Sequence, residues 1–333
     1  MTDMAGLRLG IGLDVAALKI PRDTGWQALW GTVADRIDGV ADFVTLEDGF
    51  ARPEGDGPDA ALLANWLGAR TRHIGIIAGA PVNFLEPFHV STAIATLDYV
   101  TEGRAGLLVQ QLRGERAAEA GRAIGRLGGF PVLDPAALGR DALDAVEVIR
   151  RLWDSWEDDA VIRDPESQRF LDGAKLHTIG FKGAGFSVLG PSITPRPPQG
   201  QPVVATTFAS GDDPALAAAA DLVFLRPGAE GLASFLAKLR ERTEGRGPLR
   251  FADVPVGRGG AADLAAQVAD WSAAGLDGIR LDLRDPEIDL SELVETILPA
   301  LGQAGFGPGA PGTTLRERLG LPAAVNRYAA AAA

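Results

Sequence analysis

The chain has no cysteine and only three histidines, His73, His89 and His177. Without cysteine there is no disulfide, thiolate-ligated zinc, iron–sulfur cluster or thiol nucleophile. None of the histidines has a histidine partner at helical spacing, so an HExxH-type or multi-histidine metal site cannot be assembled, and no metal is expected. Basic residues are also short: 32 against 44 acidic ones, a formal net charge of -12. That balance argues against nucleic acid, which needs a basic face for its phosphates. No apolar run approaches the ~20 residues that span a bilayer. The opening stretch MTDMAGLRLGIGLDVAALKI has an Asp and no cationic lead, so it reads as a strand rather than a signal peptide. The expectation is a cytoplasmic protein handling small molecules, with neither membrane nor nucleic acid as partner.

What is present is a soluble-protein composition, 46% hydrophobic and 23% charged over 333 residues. Disorder is excluded, and the 42 glycines follow no collagen repeat. Short apolar runs alternate with longer amphipathic, alanine-rich stretches. Leu7–Leu13, Ala41–Leu46, His73–Ala78, Gly106–Gln110, Pro202–Thr207, Leu222–Leu225, Arg250–Val256 and Gly278–Leu283 read as strands. Trp26–Ile37, Asp59–Ala69, Pro87–Val100, Arg140–Trp156 and Ala262–Ala274 read as helices, with Asp59 a first-turn or cap acid. About eight strands alternating with helices predict an α/β fold, a (β/α)8 TIM barrel occupying residues 1–333 as one domain. LGIGLD lacks the third glycine of a dinucleotide fingerprint. Residues 162–201 hold Gly, Pro and short strand-like pieces (His177–Ile179, Phe186–Leu189) and read as a rim insertion. The tail, 308–333, reads as a frayed terminus.

In such a barrel the site lies at the carboxyl ends of the strands. Those ends offer Asp14, Glu47, Asp48, Asn83, Gln110, Gln111, Thr206, Thr207, Ser210, Arg226, Arg280 and Asp282. No catalytic triad or carboxylate pair stands out, and no catalytic residue is assigned. Ser210-Gly211 follows a strand and reads either as an N-cap or as a phosphate-binding turn. The first-turn acids Asp212 and Asp213 favour the cap. His89 reads as a buried structural histidine, Trp153 and Trp156 as packing residues, and Arg316 and Arg318 as surface or rim ion-pair residues.

Several strings resemble the bacterial-luciferase-like superfamily, in particular its nitrilotriacetate and dibenzothiophene-sulfone monooxygenase branch. They are EPFHVSTAIATLDYVTEGRAG (86–106), VIRRLWDSWEDDAVIRD (148–164), KLHTIGFKGAGFSVLGPSITPRPPQGQPVV (175–204), AAAADLVF (217–224), GLDGIRL (275–281) and TTLRERLGLPAAVNRY (313–328). The resemblance implies a TIM barrel using reduced FMN from a separate NAD(P)H:flavin reductase to oxygenate a small organic substrate with dioxygen. Deazaflavin, used by other branches, is less favoured by these strings. The resemblance also implies a homodimer, or a heterodimer if the chain is a partner subunit. Carried over position by position, it assigns cofactor contacts to Asp48, Asn83, Gln110, Ser210 and Gly211. Gln110-Gln111 stands where relatives show Thr-Ser, and Pro135 and Gly139 fall near a lost His and Tyr. Thr206-Thr207-Phe208-Ala209-Ser210 replaces Gln-Ala-Gly-x-Ser, with Phe208 at a glycine that permits close backbone approach. These departures, with Asp212 and Asp213 nearby, leave an alternative: a non-catalytic or flavin-impaired homologue acting as a partner subunit or ligand-binding protein. Relatives of this branch are longer after Gln110 and between Val256 and Ala262, which implies a more open pocket here.

Overall fold

Eight parallel strands close into a barrel. The computed structural model describes residues 7–15, 25–50, 57–125, 133–209, 212–226, 231–242, 247–256, 261–283, 286–304, 307 and 312–329. In chain order the strands are β1 (Arg8–Asp14), β2 (Phe43–Glu47), β3 (Gly75–Ala80), β4 (Ala105–Val109), the antiparallel hairpins β5 (Val161–Asp164) with β6 (Arg169–Leu171) and β7 (Phe181–Lys182) with β8 (Ser187–Val188), then β9 (Val203–Ala209), β10 (Leu222–Arg226), β11 (Leu249–Pro255) and β12 (Gly278–Leu283). β1–β4 and β9–β12 form the barrel, closed by β12 against β1, with Arg8 opposite Gly278. The predicted (β/α)8 class is what the chain adopts.

Strand alternation sorts side chains into two layers. Val44, Leu46, Ile76, Leu107, Val204 and Val223 face outward into the helix layer. Phe43, Ile77, Leu108, Ala205, Phe224 and Phe251 fill the interior. Phe43, Phe224 and Phe251 touch one another at ring-centroid separations of 5.4–6.0 Å. Leu315 and Leu319 join this interior cluster. Gly75, at the start of β3, leaves them room: a Cβ there would lie 2.7 Å from a Leu315 methyl.

The helices are α1 (Gly25–Ile37), α2 (Ala60–Gly68), α3 (Pro87–Val100), α4 (Gly114–Ile124), α5 (Pro135–Asp154), α6 (Pro214–Ala219), α7 (Leu232–Arg242), α8 (Ala261–Ala273), α9 (Pro286–Glu292), α10 (Leu298–Gln303) and α11 (Leu315–Arg318). Asp59 caps α2, accepting from the Ala61 and Leu62 N–H groups. Among the described residues, three helices start with an acid at the cap followed by proline: Glu86-Pro87, Asp134-Pro135 and Asp213-Pro214. The acid satisfies an orphan N–H, and proline is preorganised for the first turn.

Several expectations need correction. α5 begins at Pro135 rather than Arg140, because Asp134 and Pro135 provide the start, and it ends at Asp154. Trp156 lies beyond it, bridged to Leu176. His177–Ile179 is not a strand; its neighbour Phe181–Lys182 pairs with Ser187–Val188 instead. His89 is exposed on the first turn of α3 rather than buried. The tail between 312 and 329 is docked, not frayed. Its Arg316 is buried and donates to the Gln201 and Pro322 carbonyls, with Asp221 at 3.5 Å, so it is no surface residue. Arg318 likewise donates to the His73 carbonyl at 2.7 Å. Trp153 and Trp156 are packing residues as read, their indoles donating to the Ser91 and Ser192 carbonyls.

Candidate functional site

Above the interior phenylalanines, inward positions of β2, β10, β11 and β12 carry charge. Arg280 is fully buried at the centre of this layer. Its Nε donates to Asp253 Oδ1 at 2.6 Å and its Nη2 to Asp253 Oδ2 at 2.8 Å. Nη2 also reaches Glu47 Oε1 at 3.1 Å, and Nη1 donates to the Thr45 hydroxyl at 2.9 Å. The guanidinium lies 4.1 Å from the Phe224 ring centroid. Arg226 bridges the same two acids, reaching Glu47 at 3.2 Å and Asp253 through Nε. Arg116 of α4 closes over the edge, 3.0 Å from Asp14 and 3.8 Å from Glu47.

This layer tunes its own charges. Burial alone would raise Asp253, but Arg280 and Arg226 hold it below the usual carboxylate range. Burial would also weaken the charge on Arg280, yet Asp253 and Glu47 raise its pKa above the ordinary value. Asp282 moves the other way, pushed up by burial and by the neighbouring Asp253 carboxylate.

The sequence-predicted contacts lie around this layer. Asp48 and Gln110 are brought together by a reciprocal pair: the Asp48 N–H donates to Gln110 Oε1 at 2.9 Å, and Gln110 Nε2 donates to the Asp48 carbonyl at 3.0 Å. The Asp48 carboxylate accepts from the Gly49 and Ala60 N–H groups, tying β2 to the start of α2. Asn83 stands apart from them. Its Nδ2 donates to the Leu138 carbonyl and to Asp141, and its Oδ1 accepts from the Leu112 N–H. Ser210 and Gly211 lie outside the described residues. The cap of α6 is Asp213, which accepts from the Ala215 N–H at 2.9 Å, so the expected N-cap role of Ser210 falls to Asp213.

Two neighbouring cavities open on either side of the first turns of α5, and Leu138 and Arg140 line both. The first, about 610 Å³, is walled by the β3–α3 connection, α5 and the β7–β8 hairpin. The second, about 590 Å³, is lined by Gln111, Arg113 and Gly139 and by Asp212 and Asp213 before α6. Both volumes suit a small-molecule ligand. Arg113 forms an ion pair with Asp212, which also accepts from the Ala209 N–H. Phe208 points away from both, into the helix layer, 4.9 Å from the Phe235 ring.

Asp253, Arg113, Arg116 and the pair Asp141 and Asp144 were not singled out from the sequence. Asp253 had a signal: it alternates with the inward-facing Leu249 and Phe251. Among the described residues, no three His, Asp or Glu side chains are grouped to hold a metal ion, and no helix is long and apolar enough to cross a membrane.

A luciferase-like monooxygenase family model matches residues 39–276. The chain belongs to this family. N-acetyl-S-(2-succino)cysteine monooxygenase of Bacillus subtilis is 36% identical over 197 residues, 58% of this chain and 43% of that protein. A pristinamycin IIA synthase subunit of Streptomyces pristinaespiralis is 33% identical over 267 residues, 79% of this chain and 77% of that protein. Nitrilotriacetate monooxygenase component A of Aminobacter aminovorans, from the branch named by the sequence strings, is 38% identical over 155 residues, 46% and 33% of the two chains. The match thus spans less than half the length of the Bacillus and Aminobacter relatives. Among solved structures, riboflavin lyase with modified FMN and riboflavin superposes with a TM-score of 0.75 at 20% identity, covering 96% of both chains. That likeness concerns the fold.

Proposed function

We propose that this luciferase-like protein is the oxygenating component of a two-component monooxygenase. It would take reduced FMN from a separate NAD(P)H:flavin reductase and oxygenate a small organic substrate. The observation that carries this reading is the pair of adjoining cavities at the strand ends, one with an exchangeable guanidinium and one largely apolar, on a barrel of this family. The Arg113–Asp212 pair is the test of fit. Arg113 is about one-third exposed at 35%, so an incoming phosphate can replace Asp212 as its partner.

In this reading Arg113 and Gln111, with Ser210 and Gly211, would hold the phosphate end. Asp48 and Asn83 act by holding backbone: Asp48 fixes the start of α2, and Asn83 ties α5 to the segment after β4. Gln110 keeps one Nε2 hydrogen beyond its bond to Asp48, available to a flavin edge. Reduced flavin, when bound, supplies the activation of dioxygen. The chain's own part is to position the flavin and substrate and to exclude water, for which the apolar cavity wall is suited.

The test is FMN titration, oxidised and reduced, followed by fluorescence or calorimetry. Saturable binding is expected, weakened by ~1–2 kcal/mol in Ser210→Ala, the scale of one hydrogen bond to a charged group. No binding of either form at high micromolar concentration would overturn the reading for the isolated chain.

A second reading is a subunit that works with a catalytic partner. The relative named as one subunit of a synthase favours it, since that match covers most of both chains. It expects no FMN binding by the chain alone and a hetero-oligomer on sizing with its partner. The oxygenase reading expects FMN binding by the isolated chain, as a homodimer.

A further inference from the structure

The 610 Å³ cavity carries a charge pattern that the family resemblance does not explain. Its wall is mostly apolar and includes two aromatic rings, Phe84 and Phe186. Its polar groups are chiefly carboxylates: Asp141 and Asp144, three residues apart on α5, and Glu86 across from them at the start of α3. Glu86 is partly committed, since it caps α3 by accepting from the His89 N–H at 3.0 Å. Asp141 is half-buried and accepts from Asn83 at 3.2 Å. Asp144 is half-buried and has no hydrogen bond or ion pair among the described residues. Its carboxylate lies against the backbone of Gly183 in the β7–β8 hairpin, where a Cβ would come within 2.5 Å of Oδ2. The side chain is therefore held between α5 and the hairpin. Among the described residues of the wall the one guanidinium, Arg140, is exposed, and water screens its charge as it does that of the exposed Glu86.

We infer that this cavity selects organic cations: a protonated amine or quaternary ammonium on an apolar body. Aromatic faces and carboxylates are the two groups that replace water around such a cation, and both meet here. An anionic ligand would face the half-buried Asp141 and Asp144 with, among the described wall residues, only the exposed Arg140 in compensation, and a neutral one would leave the two carboxylates without a counter-charge. Burial, together with the Asp144 carboxylate, pushes Asp141 up, consistent with a pair of acids lacking a cation. The inference rests on the oxygenase reading in treating this cavity, rather than its neighbour, as the substrate's.

Three probes of one shape and different charge test it: benzylammonium, benzyl alcohol and benzoate, titrated into the full chain at neutral pH by calorimetry. The expected order is cation, then alcohol, then anion, with the cation ahead of the alcohol by about fivefold or more. Asp144→Asn should remove most of that preference, weakening benzylammonium binding more than benzyl alcohol binding. Arg140→Gln should strengthen benzylammonium binding. Benzoate binding as tightly as benzylammonium would overturn the inference. So would absence of binding by all three probes, or a cation preference that survives Asp141→Asn/Asp144→Asn. FMN titration of the same sample separates the outcomes: flavin binding without cation preference sinks this inference alone, and cation preference without flavin binding sinks only the oxygenase reading.

Discussion

Replacing Arg280 by methionine should destabilise the barrel severely. Arg280 is wholly buried and supplies two hydrogen bonds to Asp253, one to Glu47 and one to Thr45, while its guanidinium lies over Phe224. Methionine preserves most of the volume but none of the charge. Asp253, 4% exposed at its side chain, would then keep only Arg226, which is 45% exposed and less able to compensate inside the barrel. Breaking a buried pair costs about 3–5 kcal/mol because a charge is left without its counterpart. The surviving Arg226 contact places the expected loss near the lower end, about 3 kcal/mol. That is a large part of a typical folding free energy of roughly 5–15 kcal/mol.

The same argument makes a sharper statement about a double variant. Arg280→Met/Asp253→Leu removes both charges, and replacing a buried ion pair by apolar groups is often near neutral. The double variant should therefore lose less than Arg280→Met alone, a coupling of at least ~1.5 kcal/mol. Urea unfolding followed by tryptophan fluorescence measures this, since Trp30 and Trp153 are buried. Asp253 also fixes the sign with pH. Its folded pKa is depressed, so its stabilisation is present above the unfolded value near 4 and is lost as pH falls through the folded value. An Arg280→Met loss below ~1 kcal/mol, or strict additivity in the double variant, would refute a network centred on Arg280.

Asp98 has the opposite sign. It is buried at the end of α3, accepts from Gln199 and Ala105, and its pKa is pushed up to about 6 by burial despite those hydrogen bonds. The folded state therefore holds this proton more tightly than the unfolded chain, and stability falls as pH rises from about 4 to 6. At 1.36 kcal/mol per pH unit the change is about 3 kcal/mol. Asp98→Asn should abolish this slope, and parallel urea midpoints for the two proteins across that range would refute the assignment. Gly79→Ala should cost about 1–3 kcal/mol through overpacking. A Cβ there meets Gln110 Oε1 at 2.4 Å and the Leu46 carbonyl at 2.5 Å, so the Gln110–Asp48 pair must open. An unchanged urea midpoint would contradict that crowding.

The barrel was legible because its strands are dense apolar runs and its crossovers amphipathic. α3 and β12 have the bounds read for them. β3 was read two residues early because apolar character begins at Ile74, whereas pairing begins where Phe43 meets Gly75. α4 was not read as a helix, and its packing shows why. Its buried residues are Ala117 and Ala120, too small to mark a hydrophobic stripe. In the charged layer, Glu47, Arg226, Arg280 and Asp282 are legible as polar residues at or near strand ends. Asp253, two residues inside the end of β11, is not among them. Arg316 escaped for another reason. Its partners Gln199 and Gln201 lie more than 110 positions earlier, and no local pattern announces such a contact.

The departures from the family pattern weigh differently once each side chain is placed. Phe208, where relatives have glycine, packs against Phe235 in the helix layer and leaves the barrel mouth alone. Asp213 is committed to the α6 cap, and Asp212 is neutralised by Arg113. Before a phosphate arrives, each acid therefore has a partner within the chain. The chain's net charge of -12 opposes an anionic ligand only at long range, because exposed charges more than ~8 Å away are screened at physiological salt. In the proposed flavin-binding reading, affinity turns on one local exchange: the free energy of moving the Arg113 guanidinium from the Asp212 carboxylate to a phosphate. A dianion is the stronger partner for a forked donor, and the displaced Asp212 keeps its bond from the Ala209 N–H. In that reading Asp212 serves as the guanidinium's placeholder, and the acids that look adverse in the sequence do not by themselves oppose a flavin phosphate.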